Sequence, residues 1–134
     1  EYPMKSFFDA GVTVASASDY PVSWPPDPML AIELGVTRTV PQGSDIYVDP
    51  DYDTALWPAQ CVTVEQMIES FTINGARAIF KEDQIGSLEV GKKADLVVLS
   101  QNILTIDPKE IHSTVPLLTY FAGQEVYRDD EFAE

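Results

Sequence analysis

The sequence predicts an α/β fold up to about residue 80 and an all-β arrangement after it. Three observations predict this. A helix-like segment near the N-terminus stops at a glycine and runs straight into a β-branched stretch, the rhythm of helices alternating with strands of a parallel sheet. A capped, one-sided apolar helix follows from Val64 to Ile73. Beyond Phe80 the helical period vanishes, and short β-rich runs punctuated by Gly86, Gly91 and Gly123 replace it. With 45% hydrophobic residues in 134, there is enough apolar surface for a core, so whole-chain disorder is excluded.

The elements follow in order. Pro3 to Ala10 reads as the end of a helix, with Met4, Phe7 and Phe8 at helical spacing and Gly11 as the stop. Val12 to Ser16 reads as a buried strand. The loop Ala17 to Pro26 leads to Asp27, an N-cap with Pro28 at the first helical position, and Met29 to Leu34 forms a short helix stopped by Gly35. Residues 36–58 have no clear period and carry four aspartates between Asp45 and Asp53, so they read as a long surface loop. Thr63-Val64-Glu65-Gln66 is a capping box, and the spacing predicts a helix from Val64 to Ile73. A polar stretch over residues 81–93 feeds a strand at Asp95 to Leu99. Asp107-Pro108 opens a short helical turn through His112, and Val115 to Phe121 with Glu125 to Arg128 makes a hairpin around Gly123.

Charge excludes several functions. Twenty-two acidic against eight basic residues give a net charge of −14. Nucleic-acid binding needs clustered Lys and Arg, and an anionic membrane surface would repel this chain. No apolar run is long enough to span a bilayer. The single cysteine, Cys61, cannot form an internal disulfide and reads as a small packing residue. The expected compartment is reducing and cytoplasmic.

Several motifs invite a functional reading. Gly86 to Lys92 has the G-x-x-x-x-G-K spacing of a phosphate loop, but Lys93 stands where Ser or Thr would hold magnesium, and the loop opens a strand instead of a helix. It reads as a tight reversal. Asp49-Pro50-Asp51-Tyr52-Asp53 imitates the start of a calcium loop, but Thr54 replaces the required glycine and Gln60 the final glutamate. It reads as a solvated acidic loop. His112, the only histidine, reads as a surface residue. Asp19 lies just beyond the end of the first strand, where α/β barrels place their chemistry. An Asx-type turn cap explains it equally well.

Longer stretches carry a resemblance. Phe8 through Val22 contains Ala10-Gly11-Val12, Ser18-Asp19 and Pro21-Val22. Thr63 through Ala76 ends in Thr72-Ile73-Asn74-Gly75-Ala76. Ile85 through Leu99 contains Gly86-Ser87-Leu88-Glu89, Gly91-Lys92 and Ala94-Asp95-Leu96-Val97-Val98-Leu99, and Gly123 is followed by Val126-Tyr127. In this order they resemble the metal-dependent amidohydrolases of family 3 type, the branch that includes N-substituted formamide deformylase-like enzymes. The resemblance covers nearly the whole chain, and its Gly-Lys-x-Ala-Asp-Leu element is the most specific part. Ala17, where the family usually has glycine, is a minor departure.

The resemblance implies a TIM barrel of eight strand–helix units with a small β-sandwich built from both chain ends. It implies hydrolysis of amide-like, non-peptide C–N bonds of a small-molecule substrate with one or two divalent metals, zinc being the expected ion. Residues 1–80 would be the C-terminal portion of the barrel, with Val12–Ser16 as its eighth strand, and residues 81–134 the returning portion of the sandwich. Asp19 matches the family's eighth-strand aspartate, which binds the catalytic metal or handles the proton of its water. Asp95 matches a structural position. Trp24 and Arg38 are candidate substrate contacts at the pocket mouth. The family's His-x-His pair has no counterpart here, and a full barrel takes about 250 residues. The chain is therefore expected to be the C-terminal piece of a larger hydrolase, inactive alone, with the rest of the barrel as its partner and self-association through unpaired sheet edges. The alternative is a non-catalytic acidic interaction module that keeps the same fold.

Overall fold

The structure, a computed structural model, describes residues 2–22, 24–44, 54–130 and 132. The acidic stretch Asp49–Asp53, expected as a solvated loop, lies outside the described residues.

Helix α1 spans Met4–Asp9. Gly11 ends it as expected, at φ +72°, a left-handed conformation that glycine adopts without a side-chain clash. Helix α2 spans Pro28–Thr37. Asp27 caps it, its Oδ1 accepting from the Met29 amide at 2.8 Å, with Pro28 in the first turn. The expected stop at Gly35 does not occur. The helix runs to Thr37 and ends with Arg38 in the left-handed region at φ 57°. Gly35 is buried and faces Met67, so closely that a Cβ there would overlap the Met67 sulfur. The glycine serves a close helix contact, not a cap.

Helix α3 spans Val64–Phe71 and opens on the expected capping box. The Gln66 amide donates to Thr63 Oγ1 at 3.2 Å, and the Thr63 amide to Gln66 Oε1 at 3.0 Å. The helix expected to reach Ile73 breaks at Thr72, whose backbone turns to φ −120°, ψ −96°. The Thr72 hydroxyl donates to the Ile68 carbonyl at 2.6 Å, a local bond that competes with the helical ladder. Helix α4 then spans Ile73–Ala78.

Strands β1 (Leu96–Leu99), β2 (Pro116–Phe121) and β3 (Gln124–Arg128) form one antiparallel sheet in sequential order. Leu96 pairs with Tyr120 and Val98 with Leu118, while Leu118 pairs with Arg128 and Phe121 with Gln124. Ala122 and Gly123 turn the hairpin with φ of 50° and 79°, positive at both central positions, which matches the strands' right-handed twist. Between β1 and β2 a 3-10 turn, Pro108–Ser113, is capped by Asp107 and packs on α2.

Ile32, Val62, Met67, Ile103 and Ile111 form the buried core, with Met4, Phe8, Ile68, Phe71 and Leu99 packed around it. The core draws on both sides of residue 80. One expectation fails outright. Val12–Ser16 forms no strand and is not buried: Val12 is 49% exposed and the segment lacks regular structure. A strand needs a neighbour to complete its ladder, and among the described residues the segment's backbone is tied at its two ends only, by the Val12 amide to the Phe7 carbonyl at 2.9 Å and the Ser16 amide to the Ser70 carbonyl at 3.0 Å. Val14, Ser16 and Ser18 are half-buried while Thr13, Ala15 and Ala17 are exposed. That is the two-residue period of an extended chain covered on one side.

Candidate functional site

The segment Val12–Ser18 delivers Asp19 into a tight turn. Asp19 adopts φ 55°, the left-handed region that Asp tolerates through its short polar side chain. The Val22 amide closes the turn on the Asp19 carbonyl at 2.8 Å, and the Tyr20 amide donates to Ser18 Oγ at 3.3 Å. The turn is thus held by backbone and by Ser18. The Asp19 carboxylate takes no hydrogen bond or ion pair from the described residues and stands exposed. It is not consumed as a turn cap, so it is free for another task.

Trp24 lies in the same loop and is 65% exposed. Its ring meets Tyr20 at 5.7 Å between centroids, tilted by 43°. The pair makes an aromatic rim beside Asp19. Arg38 does different work. Its Nε donates to the Leu56 carbonyl at 3.1 Å and its Nη1 to the Tyr2 carbonyl at 3.4 Å, while the Leu56 amide donates to the Arg38 carbonyl at 2.8 Å. It ties the chain start to the loop after α2. No described bond joins Arg38 to Asp19 or Trp24.

The phosphate-loop lookalike is a reversal, as its context implied. The Lys92 ammonium donates inward to Ser87 Oγ at 2.6 Å and Glu89 Oε1 at 3.0 Å. The Ser87 hydroxyl and then Lys92 hold the Glu89 carboxyl below the usual value. Asp95 is structural too: its Oδ1 accepts from the Ala122 amide at 2.7 Å.

A second polar centre was missed in the sequence. His112 is not a free surface residue. It is half-buried, and its backbone amide and ring Nδ1 both lie 2.8 Å from Glu33 Oε2. Glu33 is 1% exposed. The signal was present: Glu33 is the only charged residue in α2 and falls three residues after Leu30, on the buried stripe. A carboxylate there requires buried partners.

A divalent ion needs about three protein ligands. Asp19 is one carboxylate, and among the described residues no group of three His, Cys, Asp or Glu side chains could hold an ion. The donors described here do not make a complete metal site. No helix among the described residues is long and apolar enough to cross a membrane.

The amidohydrolase family model matches residues 2–127. The chain is 32% identical over 126 residues to the putative amidohydrolase YtcJ of Bacillus subtilis, covering 94% of this chain and 22% of that protein. It is 31% identical over 122 residues to the N-substituted formamide deformylase of Arthrobacter pascens, covering 91% of this chain and 20% of the relative. An amidohydrolase structure from Thermotoga maritima superposes with a TM-score of 0.62 at 25% identity, over 94% of this chain and 26% of that one. The chain spans about a fifth of the length of these curated relatives.

Proposed function

The chain belongs to the amidohydrolase family, and on that premise we propose that it is the C-terminal part of a cytoplasmic, metal-dependent hydrolase that cleaves non-peptide C–N bonds in a small molecule. Residues 1–80 are the last part of its TIM barrel, with the extended Val12–Ser16 segment as an edge awaiting neighbours. Residues 81–134 are the returning part of its β-sandwich. The divalent ion of the family, zinc in this reading, would draw only Asp19 from this chain.

One observation carries the proposal: Asp19 sits on a hydrogen-bonded turn at the end of an extended segment, with its carboxylate unengaged by the described residues. A carboxylate so placed can accept a proton from the attacking water and return it to the departing amine, as general base and then general acid. Trp24 and Tyr20 would line the mouth beside it and exclude water from an apolar substituent. Arg38 would act at the same mouth by fixing the Leu56 loop. The family match does not favour the non-catalytic module.

The test uses the longer protein that joins this chain to a complete barrel. With a divalent metal and a panel of N-substituted formamides, that protein should turn over, and Asp19→Asn should lower kcat by about a hundredfold or more without lowering Tm. The chain alone should show no turnover. Full activity of the Asp19→Asn protein would overturn the assignment.

A further inference from the structure

Glu33 is buried to 1% exposure, yet the structure loads both of its described hydrogen bonds onto one oxygen. Oε2 accepts from the His112 amide and from His112 Nδ1, each at 2.8 Å. With Glu33 ionised and the ring neutral, Nδ1 is the donor to Oε2 and Nε2 is left as an acceptor. Oε1 takes no hydrogen bond from the described residues. It is not sealed off either, since no buried side-chain oxygen among them lacks a partner. Glu33 lines a cavity of about 390 Å³ beside the 3-10 turn, and Oε1 is its oxygen left without a hydrogen bond from the described residues.

That cavity is polar, and its walls include Thr39, Gln42, Lys109, Glu110 and His112. Two carboxylates, Glu33 and Glu110, face one ammonium, Lys109, in a chain of net charge −14. An anion would meet a buried carboxylate and is disfavoured. A metal ion lacks a third ligand among the described residues. Thr39, Gln42 and Lys109 bring donors to the walls, but no hydrogen bond among the described residues joins them to Glu33 Oε1.

We propose that this cavity binds a small organic cation of the guanidinium or alkylammonium class, whose N–H groups donate to Glu33 Oε1 and His112 Nε2. A planar cation with several N–H donors can serve two acceptors on different elements at once. Lys109, exposed at the rim, competes for the same carboxylates and sets the affinity.

His112 is the only histidine, so its ring signals are unambiguous. The experiment titrates the chain with methylguanidinium at mildly alkaline pH and constant ionic strength, following the ring by long-range ¹H–¹⁵N correlation. A saturable millimolar shift is expected, absent with neutral N-methylurea. Lys109→Ala should tighten binding about threefold by removing the competing charge, and Glu33→Gln should abolish it while the amide spectrum stays folded. Should Glu33→Gln fail to fold, the Lys109→Ala arm still decides. A shift that does not saturate, that N-methylurea reproduces, or that Lys109→Ala leaves unchanged overturns the proposal, with water as the cavity's only occupant.

Discussion

Asp95 Oδ1 accepts a hydrogen bond at 2.7 Å from the Ala122 amide, tying the start of β1 to a turn 27 residues away. The Gly123 amide donates beside it to the Ala94 carbonyl at 2.9 Å. Together they hold a hairpin turn whose two central residues both have positive φ. This explains why the chain's most specific signature ends in Ala-Asp-Leu: the aspartate is a structural clamp. Asp95→Ala should cost about 0.5–1.5 kcal/mol, the net worth of one exposed hydrogen bond whose amide can turn to water, and Asp95→Asn less, because its carbonyl oxygen still accepts. Urea unfolding checks both. Equal losses would show that charge matters and the hydrogen bond does not.

Two glycines with crowded neighbours should respond differently to alanine. At Gly35 the obstacle is the Met67 side chain, which can move, and the helix gains about 0.5–1 kcal/mol from alanine. Overpacking costs about 1–3 kcal/mol, so Gly35→Ala should be destabilising by about 1 kcal/mol, and Met67→Ala in the same chain should remove the clash. At Gly86 an added Cβ would lie 2.6 Å from the Ala76 Cβ and 3.0 Å from the Ile73 Cα, at φ +89°. Backbone cannot yield, and left-handed strain adds about 1–2 kcal/mol. Gly86→Ala should therefore be the worse variant, with no rescue by Met67→Ala. Denaturant midpoints of the four chains decide it.

What the sequence revealed and what it hid divide along physical lines. Local chemistry was legible: Asp27 with Pro28, the Thr63–Gln66 box and the Ala122-Gly123 turn act through residues a few positions apart. Long-range contacts were not. Gly35 looked like a helix stop because Met67 lies 32 positions on (67 − 35), and only the packed structure brings them together. His112 looked exposed because its partner Glu33 lies 79 positions away. Val12–Ser16 has strand composition but no described neighbour to pair with, so composition overstated its order. Asp19 and Trp24 are named as candidates by resemblance and position; the structure describes the turn that holds one and the ring that meets the other.

The Glu33–His112 pair should act as a unit. His112→Ala removes a ring donor from a buried carboxylate, and Glu33→Gln weakens the acceptor. Each alone should cost about 1–3 kcal/mol. The double variant should cost less than their sum, with about 1 kcal/mol or more of coupling. A double-mutant cycle by urea unfolding measures it, and strict additivity would mean the contact contributes nothing.

The sheet should drive association once charge is screened. β1 and β3 are its edges, and Val97, Val98, Val126 and Tyr127 are exposed along them. A net charge of −14 opposes contact between copies. Light scattering should therefore show mass rising with salt, because screening removes repulsion and leaves apolar attraction. Val126→Lys should suppress the rise. A mass independent of salt and concentration would count against edge pairing.

Acid should weaken the fold through named carboxylates. Glu89 is held below its ordinary value of 4.5 by the Ser87 hydroxyl and then Lys92. Glu125 is held below it by its hydrogen bonds to Arg128. A carboxyl whose folded pKa is depressed adds stability that is fully present above the unfolded value and is lost as pH falls through the folded one. Protonating the other acids at the same time relieves the net negative charge, which works in the opposite direction. Comparing the native chain with Glu89→Gln/Glu125→Gln cancels that common effect. The difference in denaturant midpoint should be steady near neutrality and shrink below about pH 4.5, and it should be smaller in high salt because both groups are exposed. A difference that stayed constant from neutrality to strong acid would show that neither carboxylate contributes through its charge.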